Sequence, residues 1–308
     1  MARIGKTDLD VFPLCLGGNV FGWTADERQS FDVLDAYAAA GGNFIDTADV
    51  YSAWVPGHAG GESETIIGRW MAARGTRDRM VIATKVGLAA EAKGLSAKTI
   101  RRAAEASLRR LHTDRIDLYY AHMDDPETPL EESLGTFDAL VSEGKVRYIA
   151  ASNYTAQRLE KALAVSDREG LARYVALQPH YNLVHRNEYE GDLLDLCARE
   201  GVGCLPYYAL AKGFLTGKYR KGAKVDSVRA SSARAYLDAR GVRLLAVLDD
   251  VAAAHHTTVS AVSLAWLRAQ PTVTAPIASA RTVAQLKELL PVADITLSNE
   301  ELACLPAV

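Results

Sequence analysis

The strongest constraint on this chain is an alternation that runs along nearly its whole length. Short apolar runs, expected to be extended, lie at 13–18, 43–46, 80–86, 116–122, 146–153, 175–178, 202–207 and 273–277. Between and after them, apolar residues recur at helical spacing over 26–40, 62–73, 96–111, 130–143, 155–165, 189–199, 233–254, 259–269, 283–290 and 300–305. Ser96 is placed to cap the helix that follows it. Apolar strands separated by amphipathic helices imply a parallel sheet covered by helices. Eight such units within 308 residues favour a closed (β/α)8 barrel, which takes ~250 residues before insertions. The expected fold is therefore α/β: a (β/α)8 TIM barrel with a short N-terminal β-hairpin around Lys6-Thr7-Asp8 and extra helices, one domain over 1–308. The alternative is a doubly wound open sheet, which usually carries GxGxxG after its first strand. The nearest approach, Gly201-Val202-Gly203, precedes a strand and lacks the third glycine.

Composition excludes several classes. The net charge of −3 argues against a general nucleic-acid binder, which needs a basic face for phosphates. No apolar run reaches the ~18 residues of a membrane helix, and the polar start, Met1-Ala2-Arg3-Ile4-Gly5, lacks a signal peptide's apolar core. A cytoplasmic location is expected. Cys15, Cys197, Cys204 and Cys304 show no metal-ligand spacing and are expected to be buried, reduced and structural. No metal is expected.

The informative residues sit at strand ends. In Asn43-Phe44-Ile45-Asp46-Thr47-Ala48-Asp49-Val50-Tyr51 an apolar strand emerges at an acid, with a phenol beyond it. Taken alone, Asp46 reads equally well as a turn or cap residue and Tyr51 as a half-buried aromatic. A barrel changes this, because its strand ends converge on one mouth. The third strand carries Lys85 near its end, and the fourth ends in His122. A lysine inside an apolar strand needs a charged partner, and Asp46 on the adjacent strand is the natural one. A hydrogen bond from Lys85 would favour the Tyr51 phenolate and lower its pKa below the usual ~10, readying it for acid–base catalysis. His122 would orient a substrate carbonyl.

Asn43 to Ala48 with Tyr51, Ala83-Thr84-Lys85 and Tyr120-Ala121-His122 resemble the catalytic tetrad of the aldo-keto reductases, in order and spacing. Gly60-Gly61-Glu62-Ser63-Glu64 with Ile67-Gly68 is similar to the family's pattern after the tetrad tyrosine. The resemblance covers nearly the whole chain. It implies a barrel without a Rossmann motif that reduces aldehydes and ketones reversibly with NADP(H). Tyr51 would be the proton donor, Lys85 and Asp46 would tune it, and His122 would hold the carbonyl.

The same resemblance implies the cofactor contacts. Gly18 and Asn19 follow the first strand. Asp46, Ser152, Asn153 and Gln178 would surround the nicotinamide, and Tyr207 would stack on it. Leu210, Gly213, Leu215, Gly217 and Lys218 would cover the pyrophosphate. Ile277, Ser279, Arg281, Gln285 and Glu288 would hold the adenosine 2′-phosphate and adenine. The chain departs from the family pattern at Ala278-Ser279 and Leu289. A small-molecule carbonyl substrate would meet Trp23, Trp54, Tyr51 and His122, with Tyr208 and Tyr236 as further candidates. The sequence leaves the oligomeric state open, with a monomer slightly favoured. Two other readings stay open: a lyase forming a Schiff base on Lys85, and a cofactor-binding regulatory subunit like the family's potassium-channel partners.

Overall fold

In the computed structural model, which describes residues 1–307, the alternation becomes a (β/α)8 barrel. Two short antiparallel strands come first, β1 (Ala2–Arg3) and β2 (Asp10–Val11). Eight parallel strands follow: β3 (Cys15–Gly17), β4 (Phe44–Asp46), β5 (Val81–Val86), β6 (Ile116–Ala121), β7 (Val146–Ser152), β8 (Tyr174–Gln178), β9 (Gly203–Cys204) and β10 (Ile277–Ala278). From β3 to β9 they pair in chain order, and β10 pairs with β3. The cylinder closes between its last two strands. Cys204 donates to the Thr272 carbonyl at 2.8 Å and accepts from Thr274 at 2.9 Å, and Ile277 donates to Pro206 at 3.0 Å.

The helical layer is α1 (Glu27–Ala39), α2 (Glu62–Arg74), α3 (Ala97–Arg110), α4 (Leu130–Ser142), α5 (Ala156–Glu169), α6 (Asp192–Glu200), α7 (Ala230–Arg234), α8 (Ala239–Ala254), α9 (Val259–Arg268), α10 (Val283–Leu289) and α11 (Asn299–Cys304). Ser96 caps α3 by accepting from the Thr99 N–H. The segment expected as one helix over 233–254 is two, α7 and α8. Asp238 interrupts it, its carboxylate accepting from the Gly241 N–H at 2.7 Å and starting a new helix. The strands expected over 202–207 and 273–277 shrink to β9 and β10 because Pro206 and Pro276 donate no ladder bond.

The two-residue period of the strands sorts the side chains. Phe44, Val81, Ala83, Leu118, Tyr120, Ala150 and Ala176 fill the barrel interior. Their alternates Ile45, Ile82, Tyr119, Ala151 and Leu177 pack against the helices. Ile4, Leu9 and Val11 of the N-terminal hairpin join the interior core. Continuing the inner rows towards the carboxyl ends gives Asp46 after Phe44, Lys85 after Ala83, His122 after Tyr120, Ser152 after Ala150 and Gln178 after Ala176. The pleat alone thus gathers five polar side chains at one mouth.

Cys15, Cys197 and Cys204 are buried, but Cys304 is exposed, against expectation. It closes α11, a short peripheral helix with no buried residue. No helix among the described residues is long and apolar enough to cross a membrane.

Candidate active site

The floor of the mouth is a dry ion pair. Lys85 is 0% exposed and Asp46 2%. The ammonium of Lys85 donates to Asp46 Oδ2 at 2.6 Å, to the Thr47 carbonyl at 2.8 Å and to the Tyr51 hydroxyl at 3.0 Å. Three acceptors match the three protons of an ammonium. Gln178 holds the other carboxylate oxygen, donating from Nε2 to Asp46 Oδ1 at 2.9 Å. Burial alone would depress Lys85, but Asp46 and Tyr51 outweigh it and hold the amine above its ordinary value.

Tyr51 corrects the expectation of an acidified phenol. Burial pushes it up to about 12; Lys85 pulls it down, and Asp46 raises it again. Dehydration beats the neighbouring cation because that cation is already paired. Tyr51 therefore carries its proton at neutral pH. His122 lies beside it, ring centroids 6.2 Å apart at 74°. Burial, with a further push from Lys85, lowers the imidazole well below its ordinary value. His122 is neutral, and its buried Nδ1 has no partner among the described residues.

Above this floor opens a cavity of about 1170 Å³. That exceeds the ~300–1,000 Å³ of pockets for one small ligand. Asn19, Trp23, Asp46, Tyr51, Trp54, His122, Ser152, Asn153, Gln178, Tyr207, Leu210, Gly213, Gly217, Lys218, Ile277, Ser279, Arg281, Gln285 and Glu288 all line it. Two expected contacts do not reach it. Leu215 is fully buried in the outer core. Gly18 is buried with its side turned to Ser63, whose Oγ would lie 2.8 Å from an added Cβ. Tyr236 also lies elsewhere, its ring centroid 5.7 Å from that of Phe214.

The amides at the mouth are already engaged. Asn153 donates to the His122 carbonyl and to Ser152 Oγ, each at 3.0 Å, and accepts from the Tyr207 hydroxyl at 2.9 Å. Ser152 donates to the Gln178 carbonyl at 2.9 Å. Asn153 thus has no free N–H and offers a ligand only its remaining carbonyl lone pair. The Tyr207 ring is backed by His180 at 5.4 Å and 22°, on which His185 stacks at 3.6 Å. Neither histidine lines the cavity.

The charges are uneven. Arg281 and Arg229 face the cavity, and no carboxylate pairs with either among the described residues. Several arginines outside the cavity are tied to acids, as in Arg74–Asp35 and Arg147–Asp8. Arg229 lies over the Trp23 ring at 5.4 Å, and Lys212 and Lys218 add two further cations to the wall. Unpaired guanidinium groups on a concave wall suit an anionic ligand such as a phosphate. The sequence signalled Arg229 only as one member of a basic run. It gave no sign of Leu88, Met123 or Val228, which also line the cavity.

The loop that carries Tyr51 has a second buried acid. Asp49 is 5% exposed, and neither of its oxygens finds a hydrogen-bond partner among the described residues. It lies towards the helical layer, where Glu64 accepts from Thr84 Oγ1 at 2.6 Å and from Arg110 Nε at 2.7 Å. Burial first, then repulsion from Glu64, raises the Asp49 carboxyl to about 7. The folded state therefore holds a proton that the unfolded chain releases near its ordinary value of 3.8. Stability from this group is present below pH ~4 and lost as pH rises to ~7. Asp49→Asn is expected to raise stability at pH 8 by ~2–4 kcal/mol and leave it nearly unchanged at pH 4. Urea unfolding at both pH values checks this; equal effects would exclude the buried carboxyl as the cause.

Comparison with known proteins agrees with this geometry. The sequence model described as "Aldo/keto reductase family" matches residues 13–308. The chain is 36% identical to "Uncharacterized oxidoreductase YrpG" of Bacillus subtilis, over 98% of this chain and 93% of that protein. It is 33% identical to a norsolorinic acid reductase of Aspergillus flavus, over 95% of this chain and 76% of that one. It is 31% identical to a probable voltage-gated potassium channel subunit beta of Arabidopsis thaliana, over 95% and 90%. With the match running from the first barrel strand to the chain end, and a buried lysine–aspartate pair set against a tyrosine at the strand mouths, this chain belongs to the aldo/keto reductase family.

Proposed function

We propose that the protein reduces aldehydes and ketones to alcohols with NADPH, reversibly, and that Tyr51 gives the proton. One observation carries the reading: the Tyr51 hydroxyl lies 3.0 Å from a buried ammonium at the floor of a cavity. The unpaired Arg229 and Arg281, and a cavity large enough for a dinucleotide and a second molecule, fit the cofactor. When bound, the reduced nicotinamide supplies the hydride.

The chain's own residues do the rest. Tyr51 is protonated at neutral pH and offers its O–H to the carbonyl oxygen. As negative charge grows on that oxygen, Tyr51 transfers the proton, and Lys85 stabilises the phenolate left behind. His122, being neutral, offers an N–H to the same oxygen without competing for the proton. Asp46 keeps Lys85 charged, and Gln178 keeps Asp46 in place. Tyr207, braced by His180, offers a flat face for the nicotinamide. Ser152, Asn153 and Gln178 would border it, and Arg281 would meet the 2′-phosphate.

The direct test is loss of NADPH absorbance with a panel of aldehydes and ketones. No turnover on any of them would reject the reading. Arg281→Ala is expected to weaken NADPH about tenfold or more and NADH little, in parallel fluorescence titrations; equal losses would refute the 2′-phosphate role.

The similarity to a channel subunit supports a second reading, a regulatory protein that binds NADPH and forms a stable complex. Tight NADPH binding without turnover would favour it. A Schiff-base lyase fits less well, because such chemistry needs a neutral, accessible amine and Lys85 is charged and fully buried.

A further inference from the structure

Large apolar side chains are well hidden in this protein, with a local exception. Trp54 (47% exposed), Leu88 (37%), Met123 (45%), Tyr208 (40%) and Val228 (65%) all line the cavity above the floor. Among the described residues only Met1 and Val242 are comparably exposed elsewhere. Scattered exposed apolar residues need no explanation, but a contiguous set around a pocket marks a binding surface.

Their positions explain the clustering. Leu88 follows Lys85 off β5, Met123 follows His122 off β6, Trp54 follows Tyr51 beyond β4, and Tyr208 follows Tyr207 beyond β9. Each lies just outside a group on the floor, so together they form a collar around the reaction centre. One side is aromatic: Tyr51 and Trp54 lie 6.1 Å apart, and Trp54 meets Trp23 edge-on at 5.5 Å. Of the acids lining the cavity, Asp46 is tied to Lys85, and Glu288 stands on α10, outside the collar's own segments. None of the collar's own residues offers a counter-charge to a cationic substrate. A small aldehyde would occupy the floor and leave the collar wet.

We infer that the substrates are uncharged or anionic carbonyl compounds on an extended, multi-ring apolar body, with the ring system lying against this collar. This rests on the carbonyl-reducing reading and narrows it. Apolar area removed from water grows with each fused ring, so affinity should grow with it.

The test is a series of aryl aldehydes with one, two and three fused rings and the carbonyl in the same position. The kcat/KM with NADPH is expected to rise about tenfold or more from one ring to three. Calorimetric titration of the same compounds into the protein is expected to show a parallel fall in Kd. Replacing both Leu88 and Met123 by Ala should flatten the ratio to about twofold; both are exposed, so the core stays intact. A flat or falling series overturns the inference, as does an unchanged ratio in the double variant. A collar closed by self-association, seen as a mass that grows with protein concentration together with a flat series, overturns it too. A binding gradient without turnover supports the collar and rejects the reductase; turnover without a gradient does the reverse.

Discussion

Tyr51→Phe protein is expected to bind NADPH as tightly as the parent and to reduce carbonyls ~10²–10⁴-fold more slowly. The substitution removes one oxygen and leaves the ring against Trp54 and His122. Lys85 keeps Asp46 and the Thr47 carbonyl, so the floor stays in place. What disappears is the O–H that meets the developing alkoxide, an interaction strongest in the transition state. The loss should therefore fall on kcat, with cofactor affinity from fluorescence titration unmoved. Because the Tyr51 hydroxyl stands at about 12, its proton is retained from pH 6 to 9, and this group imposes no fall in parental reduction across that range. Near-normal turnover in the variant would reject Tyr51 as the donor.

Lys85→Met should lose activity to a similar degree and also lose ~3–5 kcal/mol of stability. Removing the ammonium leaves Asp46 buried, with Gln178 at 2.9 Å and the Tyr51 hydroxyl at 3.4 Å as its remaining donors. The pH dependence has a definite sign. Lys85 is held above its ordinary 10.5 in the fold. Its stabilising contribution is complete below that value and disappears only as pH rises through the folded one. The deficit of the variant should therefore be full at pH 7. Replacing Asp46 by Leu in the same protein should restore most of the stability and none of the activity, since a buried pair and an apolar pair of similar volume are often equivalent. Urea unfolding of the single and double variants reads this out. A single variant as stable as the parent would show that the pair is not coupled as its geometry implies.

What the sequence revealed follows from which signals are local. The inner row of each strand repeats every second residue, so Asp46, Lys85, His122, Ser152 and Gln178 could be placed at one mouth from their strand positions. Pairing of Lys85 with Asp46 followed from the cost of an unpaired buried charge. The proton affinity of Tyr51 did not, because it depends on how deeply the hydroxyl is dehydrated, which no neighbour in the chain encodes. Leu88, Met123 and Val228 lie in loops, where no period signals which way a side chain faces. Leu215 sits among true cavity residues in sequence, yet its side chain packs outward. Pro206 and Pro276 shortened two strands whose composition otherwise read as fully extended.

The division between strand and loop in this mouth has a consequence for how such a protein can change. The groups proposed to handle the proton stand on or against rigid strands, locked by mutual hydrogen bonds, while the collar stands on the connections that leave them. Residues such as Met123 can therefore be exchanged without disturbing His122 beside them, and new preferences can arise while the chemistry is inherited intact. Diversity among descendants of this scaffold should accumulate in those connections, and libraries for retargeting it should be randomised there first.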